Sequence, residues 1–200
     1  MQRSLVGSEM CIRDRCDFIK DSCKECNRKY ECTGENVAFC NHMKNILVAK
    51  YGAAEGCLKE SRIRHSMGVA NFLFAYAKSH DWSKEETEDL YLTGLLHDIG
   101  YIDNPKGTDH GRLGAEILKR NGLNAEICEL ISCHGRFIEN PSRKQALLWL
   151  ADLCVNRDGD YIGYQKRYES IKERYKNDPE RLFQVYRILE YLQIHFSEYR

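Results

Sequence analysis

Neither sign of charge is in excess in this sequence: 30 Lys and Arg residues balance 30 Asp and Glu. A neutral chain projects no long-range field toward DNA, RNA or an anionic membrane, so bulk nucleic acid and membrane surfaces are not expected partners. No apolar run approaches the ~20 residues that a membrane-spanning helix needs. The first residues lack the basic-then-apolar layout of an export signal, which makes the cytoplasm the expected address. Strand-like alternation of apolar and polar residues does not extend over any useful length. The expected fold is all-α, in a chain long enough to bury a core without staples.

Cysteine, by contrast, is plentiful, with ten residues. Without an export signal, these are metal ligands or small buried hydrophobes rather than disulfide partners. Cys57, Cys128, Cys133 and Cys154 are scattered through helical patterns. Cys16, Cys23, Cys26, Cys32 and Cys40 crowd into residues 16–42, a polar segment with little periodicity. Cys23-Lys24-Glu25-Cys26, followed by Cys32 and Cys40, offers four thiols with the short first spacing of a zinc knuckle, and Cys16 and His42 are spare ligands. Such a site would hold structural zinc or an iron–sulfur cluster; a metal-free leader is the competing reading. Further upstream, Leu5 to Arg15 reads LVGSEMCIRDR, which resembles the translation of a transposase sequencing adapter. Residues 1–15 are therefore expected to be a library artefact, and Cys11 receives no role. The remaining organisation is a Cys-rich segment over 16–42 and a helical domain over 43–200.

Helix signals follow one another through that domain. Ile63, Met67, Ala70, Phe74 and Ala77 recur at three- and four-residue steps, predicting an amphipathic helix over about 59–80. Ser83 with Glu86 forms a capping box for the next helix, which carries Leu92, Leu95, Leu96 and Ile99. Gly100 is expected to end it as a left-handed terminator. Beyond the loop at Asn104-Pro105-Lys106-Gly107, a helix is expected over about 109–121 and another after Asn124, with Ile127, Leu130, Ile131 and His134 on one face. Ser142, with Gln145 three residues on, opens a helix that Asp158-Gly159 breaks. Two charged, Tyr-rich helices close the chain, the second announced by Asp178-Pro179. The basic, aromatic stretch from Tyr161 to Tyr168 is read as core packing in preference to a nucleotide-stacking surface.

The chemistry is concentrated in Leu95-Leu96-His97-Asp98-Ile99-Gly100, where two potential ligands sit side by side at the end of an apolar helix. An imidazole nitrogen and a carboxylate oxygen together suit Fe, Mn, Co or Zn better than Ca. Alone, the pair reads equally well as a dipole-stabilising histidine beside a solvated aspartate. Two further residues tip the balance. His65 lies on the side of the apolar stripe of its helix. Asp152, in Leu150-Ala151-Asp152-Leu153-Cys154, is a carboxylate within a strongly apolar helix and requires a cation as partner.

The order His65, His97-Asp98, Asp152 resembles the HD phosphohydrolase superfamily, and His-Asp-Ile-Gly is the form seen in a large bacterial subset. The resemblance covers about 59–159. It implies an all-helical bundle, one or two divalent transition metals, and a small phosphorylated substrate of the nucleotide class. His110 and His134 complete an order similar to that of the two-metal branch, which includes small bacterial symmetrical diadenosine tetraphosphate hydrolases. By this resemblance His65, His97, Asp98 and Asp152 hold one metal, and Asp98 bridges to a second held by His110 and His134. Asp98, His110 and His134 are then the catalytic group, acting through a metal-activated water. Gly114 would let its helix pack closely. Ser66 and Cys133, adjacent to ligands, are supporting rather than nucleophilic groups. Lys106, Arg112, Arg136 and Arg157 are the candidate phosphate contacts. Tyr101 stands where many relatives carry a phosphate-binding lysine. A di-iron oxygenase using the same six ligands, and a non-catalytic nucleotide-sensing module, are the competing functions.

Overall fold

A computed structural model describes residue 58, residues 60–102, residue 107 and residues 109–200. The adapter-like stretch, the Cys-rich segment with Cys16, Cys23, Cys26, Cys32, Cys40 and His42, and the loop residue Lys106 lie outside the described residues. Seven α-helices and two short 3-10 turns make up the described fold, and no strand occurs among the described residues beyond an isolated bridge between Val155 and Tyr161. The helices are α1 (Glu60–Ser79), α2 (Lys84–Leu96), α3 (His110–Arg120), α4 (Ala125–Cys133), α5 (Arg143–Cys154), α6 (Tyr164–Arg174) and α7 (Pro179–His195). None is long and apolar enough to cross a membrane.

The local punctuation explains the starts. Ser83 and Glu86 form a reciprocal capping box on α2, and Asn124, Ser142 and Asp178 accept backbone N–H bonds at the starts of α4, α5 and α7. Nine of the 12 residues of α5 are buried, the composition expected of a helix surrounded on all sides. It packs against α1, α2, α4, α6 and α7, and its Leu147, Leu148, Trp149 and Leu150 meet Leu73, Leu90, Ile188 and Leu192 in the core. Asp152 is thereby carried into the middle of the protein on a helix whose other faces are fixed by packing.

Two local expectations are corrected. Along α1, Ala70, Phe74 and Ala77 are buried as expected, but Ile63 and Met67 are exposed, and the inward stripe also takes in His65, Val69, Leu73 and Tyr76. Their spacing of four, four and three follows the helical repeat, so His65 is the first inward residue of the helix. At the end of α2, Gly100 is not a left-handed terminator: it lies within a 3-10 turn (Ile99–Ile102) and is absent from the positive-φ residues. Its role is one of space. A Cβ there would fall 1.8 Å from the carbonyl oxygen of His110, and one on Gly114 would fall 3.1 Å from the Gly100 amide. The two glycines let the turn after His97-Asp98 press against the first turn of α3, which brings His110 beside Asp98.

Candidate metal centre and its cavity

Three of the four site histidines sit at helix ends, where backbone groups lack partners within the helix. His97 and His134 are the C-cap residues of α2 and α4. The Nδ1–H of His97 donates to the Gly94 carbonyl (2.7 Å) and that of His134 to the Ile131 carbonyl (2.6 Å). His110 opens α3 and donates from Nδ1 to the Gly107 carbonyl (2.9 Å), and His65 donates from Nδ1 to the Asn156 carbonyl (3.0 Å). A carbonyl oxygen only accepts, so every one of these Nδ1 atoms carries the proton. Four Nε2 atoms are then left to face inward with the geometry of metal-binding imidazoles.

They converge with two carboxylates. His65, His97 and Asp98 form one set whose ligand atoms lie within 4.8 Å of one another; His97, His134 and Asp152 form another, and Asp98, His110 and His134 a third. His65 Nε2 is 2.9 Å from Asp152 Oδ1, and His110 and His134 present their Nε2 atoms to each other at 2.8 Å. His97 Nε2, fully buried, has no hydrogen-bond partner. Lone pairs at these separations repel unless a proton or cation lies between them. The donor set of imidazole nitrogens and carboxylate oxygens therefore fits divalent metal, which these three sets of histidines and aspartates could hold.

The electrostatics agree. Burial pushes the His97 imidazole down to about 4, and burial followed by the neighbouring His134 pushes His110 down to about 3. Both rings are thus neutral ligands at pH 7. For His134, burial is outweighed by the nearby Asp98 and Asp152 carboxylates, so its imidazole is raised. Burial also works against charge on Asp98 and Asp152. The surrounding His97, His134 and Arg62 nevertheless hold Asp98 well below the usual carboxylate range, and His65 does the same for Asp152.

The centre forms the base of a cavity that opens to solvent. Its cationic lining differs from the sequence expectation. Arg112 is exposed and paired with Asp109 and Glu116, Arg136 is exposed and paired with Asp109, and Arg157 is exposed; none of the three lines the cavity. The guanidiniums that do are Arg62 from α1, Arg167 and Arg174 from α6, and Arg181 from α7. Arg62 donates to Asp98 Oδ2 (2.7 Å) and lies 3.8 Å above the Tyr101 ring, which stacks on His110. Arg181 donates to the Gly107 carbonyl and lies over Tyr175. Burial opposes ionisation of Tyr175, yet Arg181, Arg174 and Arg62 together lower its hydroxyl below the ordinary value, a sign of positive potential in the cavity. Two spacings carried this signal: Arg62 precedes His65 by three residues, and Arg167 and Arg174 lie two turns apart on one helix face. Tyr161, Tyr164 and Tyr168 take no part in the cavity lining; Tyr164 is buried in the core and Tyr161 stacks on Phe72.

An all-helical fold with inward imidazoles and carboxylates at the base of an arginine-lined cavity defines a helical domain with a candidate metal centre. The chain belongs to the HD domain family, whose profile matches residues 62–185. It is 35% identical over 92 residues to Ribonuclease Y of Fervidobacterium nodosum, a match covering 42% of this chain and 18% of the relative. It is 31% identical over 77 residues to an uncharacterised protein of Methanocaldococcus jannaschii, covering 38% of this chain and 45% of the relative. The chain thus spans less than half the length of each of these relatives. No solved structure shows a significant match.

Proposed function

We propose that the protein is a metal-dependent phosphohydrolase that cleaves a phosphate ester or anhydride, with a nucleotide as the substrate class. The observation that carries this reading is the convergence of four inward Nε2 atoms and two carboxylates beneath four arginines. Divalent metal bound there supplies an activated water and Lewis-acid polarisation of a phosphoryl oxygen. The residues of the chain do the rest. Asp98 and Asp152 remain ionised, His97 and His110 remain neutral, and each ring is held in one orientation by its backbone carbonyl. Arg62 is braced between Asp98 and Tyr101 at the edge of the centre, in a position to neutralise charge on a phosphoryl group. Tyr101 keeps its proton because burial raises its hydroxyl, which leaves it a hydrogen-bond donor where relatives carry a lysine. The similarity to a ribonuclease supports phosphodiester chemistry and places short RNA fragments among the substrates to be screened.

Phosphate or nucleotide release is expected when the full chain, reloaded with Mn, Co, Fe or Zn, is screened over nucleotides, dinucleoside polyphosphates and short RNA. Chelation should abolish release while the helical circular dichroism is retained. Metal loading without turnover of any phosphorylated compound, accompanied by oxygen uptake in the iron form, would overturn the reading in favour of an oxygenase.

A further inference from the structure

Arg167 is 4% exposed and its Nε has no hydrogen-bond partner, although it lines the cavity. Arg174 and Arg181 line the same cavity, and no carboxylate among the described residues forms an ion pair with any of the three. A buried guanidinium left without an anion, as at Arg167, is costly, and the half-buried Arg174 and Arg181 add further positive charge to the same space. The two carboxylates of the cavity, Asp98 and Asp152, are already engaged by Arg62 and by the histidines. The α6 and α7 arginines therefore represent positive charge in excess of what the centre itself uses. Between them lie Tyr175 and the apolar side chains of Ile171, Val185 and Ile188, which offer no competing anion.

We infer that Arg167, Arg174 and Arg181 form a second anion subsite that selects substrates carrying a further phosphate beyond the one attacked, so that the substrate class is a di- or oligophosphate rather than a simple monoester. The inference rests on the phosphohydrolase reading for the phosphate attacked at the centre. The subsite itself is a matter of binding. Guanidiniums presenting several N–H donors match phosphate oxygens in charge and in geometry, and a phosphate there satisfies the orphaned Arg167 donor.

The test uses the full chain and two non-hydrolysable probes, methylenediphosphonate and methylphosphonate, in calorimetric titrations, with bound metal measured before and after. The diphosphonate is expected to bind at least tenfold more tightly than the monophosphonate. In Arg167→Gln and Arg174→Gln that preference should fall to within about twofold, with metal content unchanged. Arg112→Gln, whose side chain lies outside the cavity, serves as control and should keep the preference. Arg174, only half-buried, keeps the test decisive if Arg167→Gln fails to fold. Equal affinity for the two probes, or a preference that survives in Arg174→Gln, would overturn the subsite. Diphosphonate preference without turnover of any phosphate compound would instead overturn the phosphohydrolase reading and leave the subsite standing.

Discussion

Asp98→Ala should reduce phosphate release by more than about 10³-fold and lower the bound metal by more than any other single substitution at the centre. Asp98 belongs to two of the three ligand sets, with Oδ1 3.4 Å from His110 Nε2 and Oδ2 3.6 Å from His97 Nε2. Among the described residues, no other carboxylate faces both groups of histidines so closely. Its loss also frees Arg62, whose 2.7 Å bond to Oδ2 is that guanidinium's tie to the centre. The side chain is 3% exposed, so water cannot replace the missing charge as it would at a surface. Metal analysis and turnover on the purified variant, with helicity checked by circular dichroism, provide the measurement. Because the comparison is with the wild-type chain, metal held elsewhere cancels. Retained full activity would refute the enzyme reading.

His134→Ala should have a narrower effect. His134 faces His110 at 2.8 Å and Asp98 Oδ1 at 3.7 Å, whereas His65, His97 and Asp98 form a set that does not need it, with Asp152 Oδ1 2.9 Å from His65 Nε2. The variant is expected to lose the metal of the His110 side, keep that of the His65 side, and lose about 10²–10³-fold in turnover. Equal metal loss in His134→Ala and Asp98→Ala would contradict a bridging role for Asp98.

The fold class was legible because its signals are local: caps such as Ser83 and Asp178 act within one turn. His65, His97, Asp98 and Asp152 drew attention by residue type and helical setting, whereas His110 and His134 entered only through an order resembling that of the two-metal branch. Gly100 misled because its reason is distant in the chain: the local rule pointed to a left-handed terminator, whereas the requirement is room for the His110 carbonyl. The cavity arginines were hidden for a similar reason. Arg167, Arg174 and Arg181 belong to helices that read as ordinary charged amphipathic segments, and only the return of α6 and α7 over α5 brings them above the centre. Arg112 and Arg136 drew attention through nearness in sequence to His110 and His134, yet both side chains turn to Asp109 at the surface.

The most direct measurement of the central claim is anomalous X-ray diffraction at the absorption edges of Fe, Mn, Co and Zn from crystals of the metal-loaded full chain. One peak is expected bounded by His65, His97, Asp98 and Asp152, and a second bounded by Asp98, His110 and His134. Loaded crystals with no peak among these side chains, and the His110 and His134 rings still in direct contact, would contradict the claim.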